Sequence, residues 1–528
     1  MQDNALIQGL LKPDIYCHET HSIRLLETHC AWVVLTGLYA YKIKKPVNFG
    51  FLDFSTLEKR KFYCEEELRL NRRFAPDIYL EVVTITGTRA CPQINGDGQA
   101  LEYAVRMRQF PDNGLLSQLA ARKELETGHI DQLIDNISDF HRHADKAGAD
   151  DQFGNPEKIH HWVRENFQHI QPLLTSMNEK ADVEQLQQWS EKQYMRLTTV
   201  LQQRKQSGAV RECHGDLHLG NITLIDGRVT PFDCIEFNPE LRWIDVISEI
   251  AFVLMDLDER GLPRYSHRFL NGYLQQTGDY AGLVVLPYYQ VYRAMVRAKV
   301  AKLRCQQTPS AATDHVQAEA EYRQYLQLAL RYTARARAVM VIMRGLSGSG
   351  KSTVARDLCE QTGMIQLRSD VERKRQAGLA ATATSHSGID NGLYSSDKTT
   401  ETYRQLGILA KSVLEAGYSA LIDATFLKRE HRDHFRAQAA ASGTAFLIIE
   451  CAAPDSELER RILTRQASQQ DASEATLEVL HAQQALDEPL SDAEQPYLLR
   501  ADTGQTGNKS TPGAFLHWFT SQTGDTAV

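Results

Sequence analysis

Along the first half of the chain, short runs in which apolar and polar residues alternate are followed by long stretches of helical spacing. "SIRLLET" (22–28), "AWVVLTG" (31–37) and "YAYKIKKPV" (39–47) repeat with period two and predict half-buried strands. "STLEKRKFYCEEELRLNRRF" (55–74) then predicts a charged helix, and "YLEVVTI" (79–85) and "EYAVRMRQF" (102–110) two further strands. From 114 to 207 the spacing is mainly helical, until "NITLIDGRVTPFD" (221–233) inserts a strand–turn–strand block, after which helices resume to about 337. The character changes at "AVMVIMRGLSGSGKSTVARDLCE" (338–360), which predicts strand, glycine loop and helix in that order. "SALIDATF" (419–426) and "AFLIIECAA" (445–453) each follow a helical stretch, the alternation of a parallel α/β sheet.

The order predicts an α+β domain with a small β-rich lobe and a helical lobe, then an α/β P-loop domain with a mainly parallel sheet. The expected boundaries give a first domain over 1–335, a second over 336–500 and a C-terminal tail over 501–528. Residues 376–392 are small and polar and read as a mobile loop, and "ADTGQTGNKSTPG" (501–513) as loop.

Length and charge narrow the class. A chain of 528 residues exceeds one ordinary core. Its net charge of −8 gives no global attraction to nucleic acid or anionic membrane. The apolar runs fall short of the ~20 residues a membrane span needs, and the opening residues lack the basic region and cleavage site of a signal peptide. Nine scattered cysteines without a C-x-x-C pair indicate neither a disulfide framework nor a zinc site, so the expected setting is the cytoplasm.

The first chemical constellation is "HGDLHLGN" (214–221). Asp216 stands five positions before Asn221, and Asp233 follows twelve residues after Asn221, beyond the turn "IDGR". Phosphoryl transfer needs a base at the acceptor hydroxyl and oxygen ligands that hold Mg²⁺ against nucleotide phosphates. Asp216 is the expected base, and Asn221 and Asp233 the expected metal ligands. Upstream, Ala40, Lys42 and Lys44 share one strand face. An Ala-x-Lys pair suits a strand facing a nucleotide and favours Lys42 over Lys44. "CEEELRL" offers several glutamates as its partner, and Glu66 is chosen because Leu70, one turn later, then faces the core.

On these motifs, residues 15–330 resemble the aminoglycoside phosphotransferase family, whose kinase-like fold the resemblance implies for this chain. "RWIDVISEIAFVLMDL" (242–257) is similar to the helix that supports the family's catalytic loop, which makes Asp245 the expected supporting acid. No G-x-G-x-x-G precedes Lys42, which weakens a protein-kinase reading. Relatives phosphorylate choline, homoserine and sugars as well as aminoglycosides, so the resemblance leaves the acceptor open.

The second constellation fits G-x-x-x-x-G-K-[ST] without a gap. Gly345, Ser347, Gly348, Ser349, Gly350, Lys351, Ser352 and Thr353 are the expected nucleotide contacts. Glycines let backbone N–H groups turn toward phosphate oxygens at a helix N-terminus, Lys351 reaches the β/γ phosphates, and Ser352 binds Mg²⁺. Asp370, in "LRSDVERKR", is an expected acid near an acceptor hydroxyl, with Arg373 on substrate or phosphate. Asp423 ends an apolar strand as a Walker-B-type carboxylate acting on the magnesium shell. Arg461 and Arg465, four apart on one helical face, suit closure over transferring phosphates. Residues 339–500 thereby resemble small P-loop kinases related to polynucleotide kinase and zeta-toxin-type enzymes.

Other residues draw bland readings. His141 and His143 stand two apart on a helix and do not face one another, so a metal pair is not expected. His218 receives no role. "VYRAMVRAKVAKLR" (291–304) reads as a packed helix with a charged outer face.

The whole chain resembles bacterial fusions of an aminoglycoside phosphotransferase-like domain with a P-loop domain. The expectation is an ATP- and Mg²⁺-dependent phosphotransferase with two nucleotide sites, acting on a hydroxyl of a small metabolite. Alternatives are a nucleotide-sensing regulator, or a 5′-hydroxyl polynucleotide kinase acting through the second domain. The acidic charge counts against a nucleic-acid partner.

Overall fold

Six strands open the chain: β1 (Arg24–Glu27), β2 (Ala31–Leu35), β3 (Tyr39–Lys44), β4 (Tyr79–Thr88), β5 (Cys91–Ile94) and β6 (Glu102–Arg108). They form one sheet in the order β1-β2-β3-β6-β4-β5, with every neighbouring pair antiparallel. The computed structural model describes residues 2–50, 52–307, 312–334, 336–379, 396–468, 475–504 and 510–524. Most of the expected mobile loop and the middle of the expected C-terminal loop lie outside those residues.

On β3, Tyr41 and Ile43 join a core with Val34, Val83, Ile85 and Leu6, Ile7 and Leu10 of an N-terminal helix that periodicity had not revealed. Alternation then sends Lys42 and Lys44 to the other face. The helix Leu57–Asn71 packs on β4 and β6, and Thr56 caps it by accepting from the Lys59 N–H. Further on, β7 (Val210–Glu212) pairs with β10 (Trp243–Asp245), and β8 (Ile222–Ile225) with β9 (Arg228–Pro231) in the expected hairpin.

The second sheet is five-stranded and wholly parallel: β12 (Ile365–Arg368), β13 (Ala420–Asp423), β11 (Val339–Arg344), β14 (Ala445–Ala452) and β15 (Leu498–Asp502), in that order. All of β11 is buried, as a central parallel strand covered on both faces requires, which is why "VMVIM" runs apolar without alternation. The P-loop helix Lys351–Thr362 follows β11 and buries Ala355, Leu358 and Cys359 against it. The N-terminal region has the kinase-like fold and the C-terminal region the P-loop NTPase fold.

The stretch read as a tail from 501 is part of that core. β15 completes the sheet edge, and the helix Ser510–Thr523 packs on β15 and β11 and brings Phe515 and Phe519 into one core cluster with side chains of β11 and β14. Its two phenylalanines are i and i+4, so one narrow apolar stripe suffices to dock it. The basic stretch 291–304 lies in the helix Leu286–Gln307, packed against the helix Thr313–Thr333, with Arg293 and Lys302 buried.

Packing divides the chain into two compact units, one of residues 1–133, 139–169 and 191–256, the other of 134–138, 170–190 and 257–528. The helices from 257 to 333 therefore belong with the parallel sheet, although motif order had drawn a boundary at 335. Among the described residues no helix is long and apolar enough to cross a membrane.

Candidate active sites

In the first unit, Lys42 Nζ meets Asp233 Oδ1 at 2.5 Å and Glu67 Oε1 at 2.8 Å. Lys44 Nζ lies 2.8 Å from Glu67 Oε2 and also pairs with Glu236. Glu67 thus bridges both lysines from a fully buried position. Burial alone would raise its pKa, but the Lys42 and Lys44 ammoniums outweigh that and hold it below the ordinary value. Burial pushes Glu236 up instead. Burial would lower Lys42, yet Asp233, Glu67 and Glu236 together keep it firmly protonated.

Glu66 is therefore not the lysine's partner. It pairs with Arg69 at 2.9 Å and Arg242 at 3.1 Å. Helix phase explains the correction: Arg60, Cys64, Glu67 and Asn71 form the buried stripe, and Glu66 sits about 100° away from Glu67 around the axis. Leu70 is buried too, three residues after Glu67 rather than four after Glu66. A polar stripe through Cys64 and Asn71 was the available signal.

The catalytic-loop candidates are laced to the strand end at 232–235. Phe232 N donates to Asn221 O at 2.9 Å and Ile235 N to His214 O at 3.0 Å. His214 Nε2 lies 2.8 Å from Phe232 O, so it must carry the proton, and Nδ1 accepts from Asp216 N at 3.3 Å. Burial lowers the His214 pKa, in keeping with that neutral tautomer. Glu249 accepts from His214 N at 2.6 Å and Gly215 N at 2.9 Å, and Asp256 from Leu219 N at 2.8 Å.

Asp245 does not support the loop. It holds Arg204 through two bonds of 2.6 and 2.8 Å and accepts from Ile247 N. It sits before the helix Val246–Glu259 begins, whereas Glu249 and Asp256 lie within that helix and reach the loop's N–H groups. Periodic acids on one helix were legible, but which of them faced the loop was not.

Asn221 Nδ2 donates to Asp216 Oδ2 at 2.9 Å and to Asp216 O at 3.0 Å, so its amide hydrogens are spent and its Oδ1 remains as an acceptor. His218 Nδ1 accepts from Gly220 N at 3.1 Å, which leaves the proton on Nε2, 3.5 Å from Asp216 Oδ2. Asp233 adopts φ +64°, a left-handed conformation that Asp tolerates, with its N–H on the Tyr79 hydroxyl at 3.1 Å. The side chains of Asp216 and Asp233 are 37% and 42% exposed, open enough to meet a ligand. An amide oxygen and a carboxylate are hard donors that fit a divalent cation, and the half-buried Lys42 beside them fits a phosphate.

In the second unit a cavity of about 370 Å³ is lined by the P-loop together with Asp370, Arg373, Asp423, Arg461 and Arg465. Gly345, Gly348 and Gly350 take φ of +141°, +82° and +81°. A Cβ on Gly345 would stand 2.3 Å from Cys451 O, so only glycine fits there. Lys351 Nζ folds onto Leu346 O at 2.8 Å, and burial lowers its pKa. Ser347 N donates to Gln483 Oε1 at 2.8 Å, and the buried Ser349 hydroxyl has no partner among the described residues. Ser352 bonds the Asp423 side chain, whose pKa burial raises; Thr353 lines the cavity. A helix N-terminus, a lysine and a Ser–Asp pair in one cavity fit a magnesium nucleotide.

Asp370 is the second residue of the helix Ser369–Gln376 and lies 3.5 Å from Arg373. The arginine pair divides. Arg461 donates to Gly348 O at 3.2 Å and Thr503 O at 2.6 Å and is held by Glu457 at 2.7 Å, a clamp on the P-loop backbone. Arg465 lines the cavity. Asp423 also accepts from the buried Gln366 Nε2 at 3.0 Å, a contact no motif announced.

Residues 64–284 match the model of the phosphotransferase enzyme family, and residues 340–490 that of an AAA domain. An uncharacterized protein of Mycobacterium tuberculosis is 29% identical over 464 residues, which span 88% of this chain and 90% of that protein. A choline/ethanolamine kinase family protein from Mesorhizobium loti overlaps 63% of this chain and 98% of its own, with 10% identity and a TM-score of 0.39. A gluconokinase from Sinorhizobium meliloti overlaps 36% and 95%, with 19% identity and a TM-score of 0.26. The two family models give the chain a phosphotransferase-type kinase domain followed by a C-terminal P-loop kinase-type domain.

Proposed function

We propose that the protein is an ATP- and Mg²⁺-dependent phosphotransferase with two nucleotide sites, whose acceptor is a hydroxyl of a small metabolite. The observation that carries the reading is the Lys42–Glu67 and Lys42–Asp233 pairing beside a loop in which Asn221 orients Asp216. A chain that only sensed nucleotide would have no use for an oriented carboxylate at that place.

In this reading Lys42, locked by Glu67, holds nucleotide phosphate oxygens. Asn221 Oδ1 and Asp233 hold Mg²⁺, which when bound offsets phosphate charge. Asp216 accepts the proton of the acceptor hydroxyl as its oxygen bonds to the γ-phosphorus and the bridge to the β-phosphate breaks. His218 Nε2–H and Asn221 Nδ2–H steady that carboxylate. At the second site Lys351 and the P-loop amides bind phosphates, Ser352 and Asp423 serve the metal, Asp370 is the acceptor-side acid, and Arg465 covers the transferring group. The two sites support successive phosphorylations, or regulation of one domain by the other. An acidic chain of kinase-type domains fits cytoplasmic small-molecule chemistry better than a polynucleotide acceptor.

The test is ATP consumption with Mg²⁺ and pooled hydroxylated metabolites by wild type, Asp216→Asn and Lys351→Ala. Acceptor-dependent turnover lost in one variant identifies the working site, and loss in both identifies coupled sites. ATP binding without turnover on any pool would sink the enzyme reading in favour of a sensor.

A further inference from the structure

β12 reads "IQLR", and its Gln366 is buried where a parallel edge strand ordinarily carries an apolar residue. Its backbone N–H donates to Asn271 Oδ1 at 2.7 Å, and Asn271 Nδ2 returns a bond to Met364 O at 3.0 Å. Asn271 thereby occupies the free edge of the sheet in place of a further strand. On the side chain, Gln275 Nε2 donates to Gln366 Oε1 at 3.3 Å, and Gln366 Nε2 donates to Asp423 Oδ2 at 3.0 Å. The direction of this relay is dictated by its end. A carboxylate only accepts, so Gln366 must turn its NH₂ inward and its carbonyl outward, and Gln275 must donate.

Asn271 and Gln275 lie on the helix Pro263–Thr277, inside the segment that matches the phosphotransferase enzyme family yet in the same compact unit as the P-loop sheet. That helix is anchored densely. Arg268 reaches Glu360 at 2.5 Å and Arg264 reaches Asp357 at 2.8 Å, both on the P-loop helix. Arg375, on the same helix as Asp370, donates to Gln275 O at 2.5 Å, and just past the end of the helix Pro263–Thr277 the buried Tyr280 hydroxyl donates to Glu372 at 3.2 Å.

We infer that Gln366 and Gln275 are positioning residues for Asp423, so that the second site's metal carboxylate is oriented by a helix belonging, by sequence, to the first domain. The inference rests on the reading of the second site as a magnesium–nucleotide site. The relay holds Oδ2 of Asp423, which Arg368 Nε also approaches at 3.9 Å, and leaves the other oxygen for the metal shell. If Gln275 is lost, Gln366 is free to turn its carbonyl toward the carboxylate, which repels it. The P-loop domain would then be incomplete if cut at the motif boundary near 335.

The test is calorimetric titration of Mg²⁺ and a non-hydrolysable ATP analogue into the full-length chain. An Asp233→Asn background silences the first site's metal while keeping a residue tolerant of positive φ. Gln366→Met, Gln275→Met and Asp423→Asn are compared, with thermal melts to confirm folding. Gln366→Met is expected to raise the Mg²⁺ half-saturation about tenfold and Gln275→Met three- to fivefold. Affinity for the analogue without Mg²⁺ should stay within twofold. Gln366→Glu, folded but with a carboxylate against a carboxylate, should exceed Gln366→Met. If Asp423→Asn weakens Mg²⁺ binding while both methionine variants stay within twofold of wild type, the inference is overturned. If Asp423→Asn itself has no effect, the reading of the second site fails and the inference with it.

Discussion

Replacing Glu67 with glutamine separates the bridging carboxylate from its neighbour Glu66 and tests the centre of the first site. Each of the two contacts from Glu67 to a lysine is 2.8 Å long and buried. At an effective dielectric near 20, each represents about 6 kcal/mol of Coulomb attraction. Most of that is offset by the desolvation of three charges. Removing one partner of a buried pair costs about 3–5 kcal/mol, because it strands the other charge. Here neither lysine is stranded, since Lys42 keeps Asp233 and Lys44 keeps Glu236. The expected loss therefore sits near the lower end, about 3 kcal/mol. For Glu66→Gln it is about 1 kcal/mol, because Arg242 retains Glu212 at 3.2 Å and Arg69 retains it at 2.8 Å.

Urea titrations followed by near-ultraviolet circular dichroism read the stability. Steady-state turnover reads the consequence for Lys42, with kcat/KM for ATP falling about 100-fold in Glu67→Gln and less than about threefold in Glu66→Gln. The pH dependence supplies a sign. Because the folded carboxyl of Glu67 lies below its unfolded value, its contribution is present above the unfolded pKa and lost as pH falls through the folded one. The acid limb of stability should be shallower in the glutamine variant. A Glu66→Gln defect equal to or larger than that of Glu67→Gln would refute the assignment.

Three further perturbations address other parts of the molecule. Burial, helped by Arg211, lowers His141 to about 3, so the unfolded chain takes up a proton near pH 6.5 that the folded chain refuses. Wild type should lose roughly 2 kcal/mol from this residue between pH 7 and pH 5, and His141→Phe should show a correspondingly smaller drop in urea midpoint; equal slopes would contradict it. Gly345→Ala places a Cβ 2.3 Å from Cys451 O and should weaken ATP-analogue binding at the second site more than tenfold by calorimetry. Phe519→Ala empties a buried position in the parallel-sheet core and should cost about 3–4 kcal/mol in urea unfolding, whereas an expendable tail would show no change.

What the chain determined by itself is local. The P-loop is legible because glycine torsions, backbone N–H groups and the next helix turn are all set within a few consecutive residues. The same holds for "HGDLHLGN", where the Asn221–Asp216 bond closes over five residues, and for β11, whose unbroken apolar run announces a strand covered on both faces. Tertiary structure decided everything that depended on rotation about a helix axis or on a distant partner. A step of about 100° separates Glu67 from Glu66, and periodicity tolerates that error because acids crowd both positions. Among Asp245, Glu249 and Asp256, only the placement of the loop 214–221 decided which of them met its amides. Phe515 and Phe519 looked like part of a tail because a short amphipathic stripe acquires meaning only against the sheet that receives it. The helix Pro263–Thr277 presents the same difficulty at greater range. Its Asn271 and Gln275 are ordinary polar residues until β12 lies beside them, since a side-chain amide declares its role only through the donor or acceptor it faces.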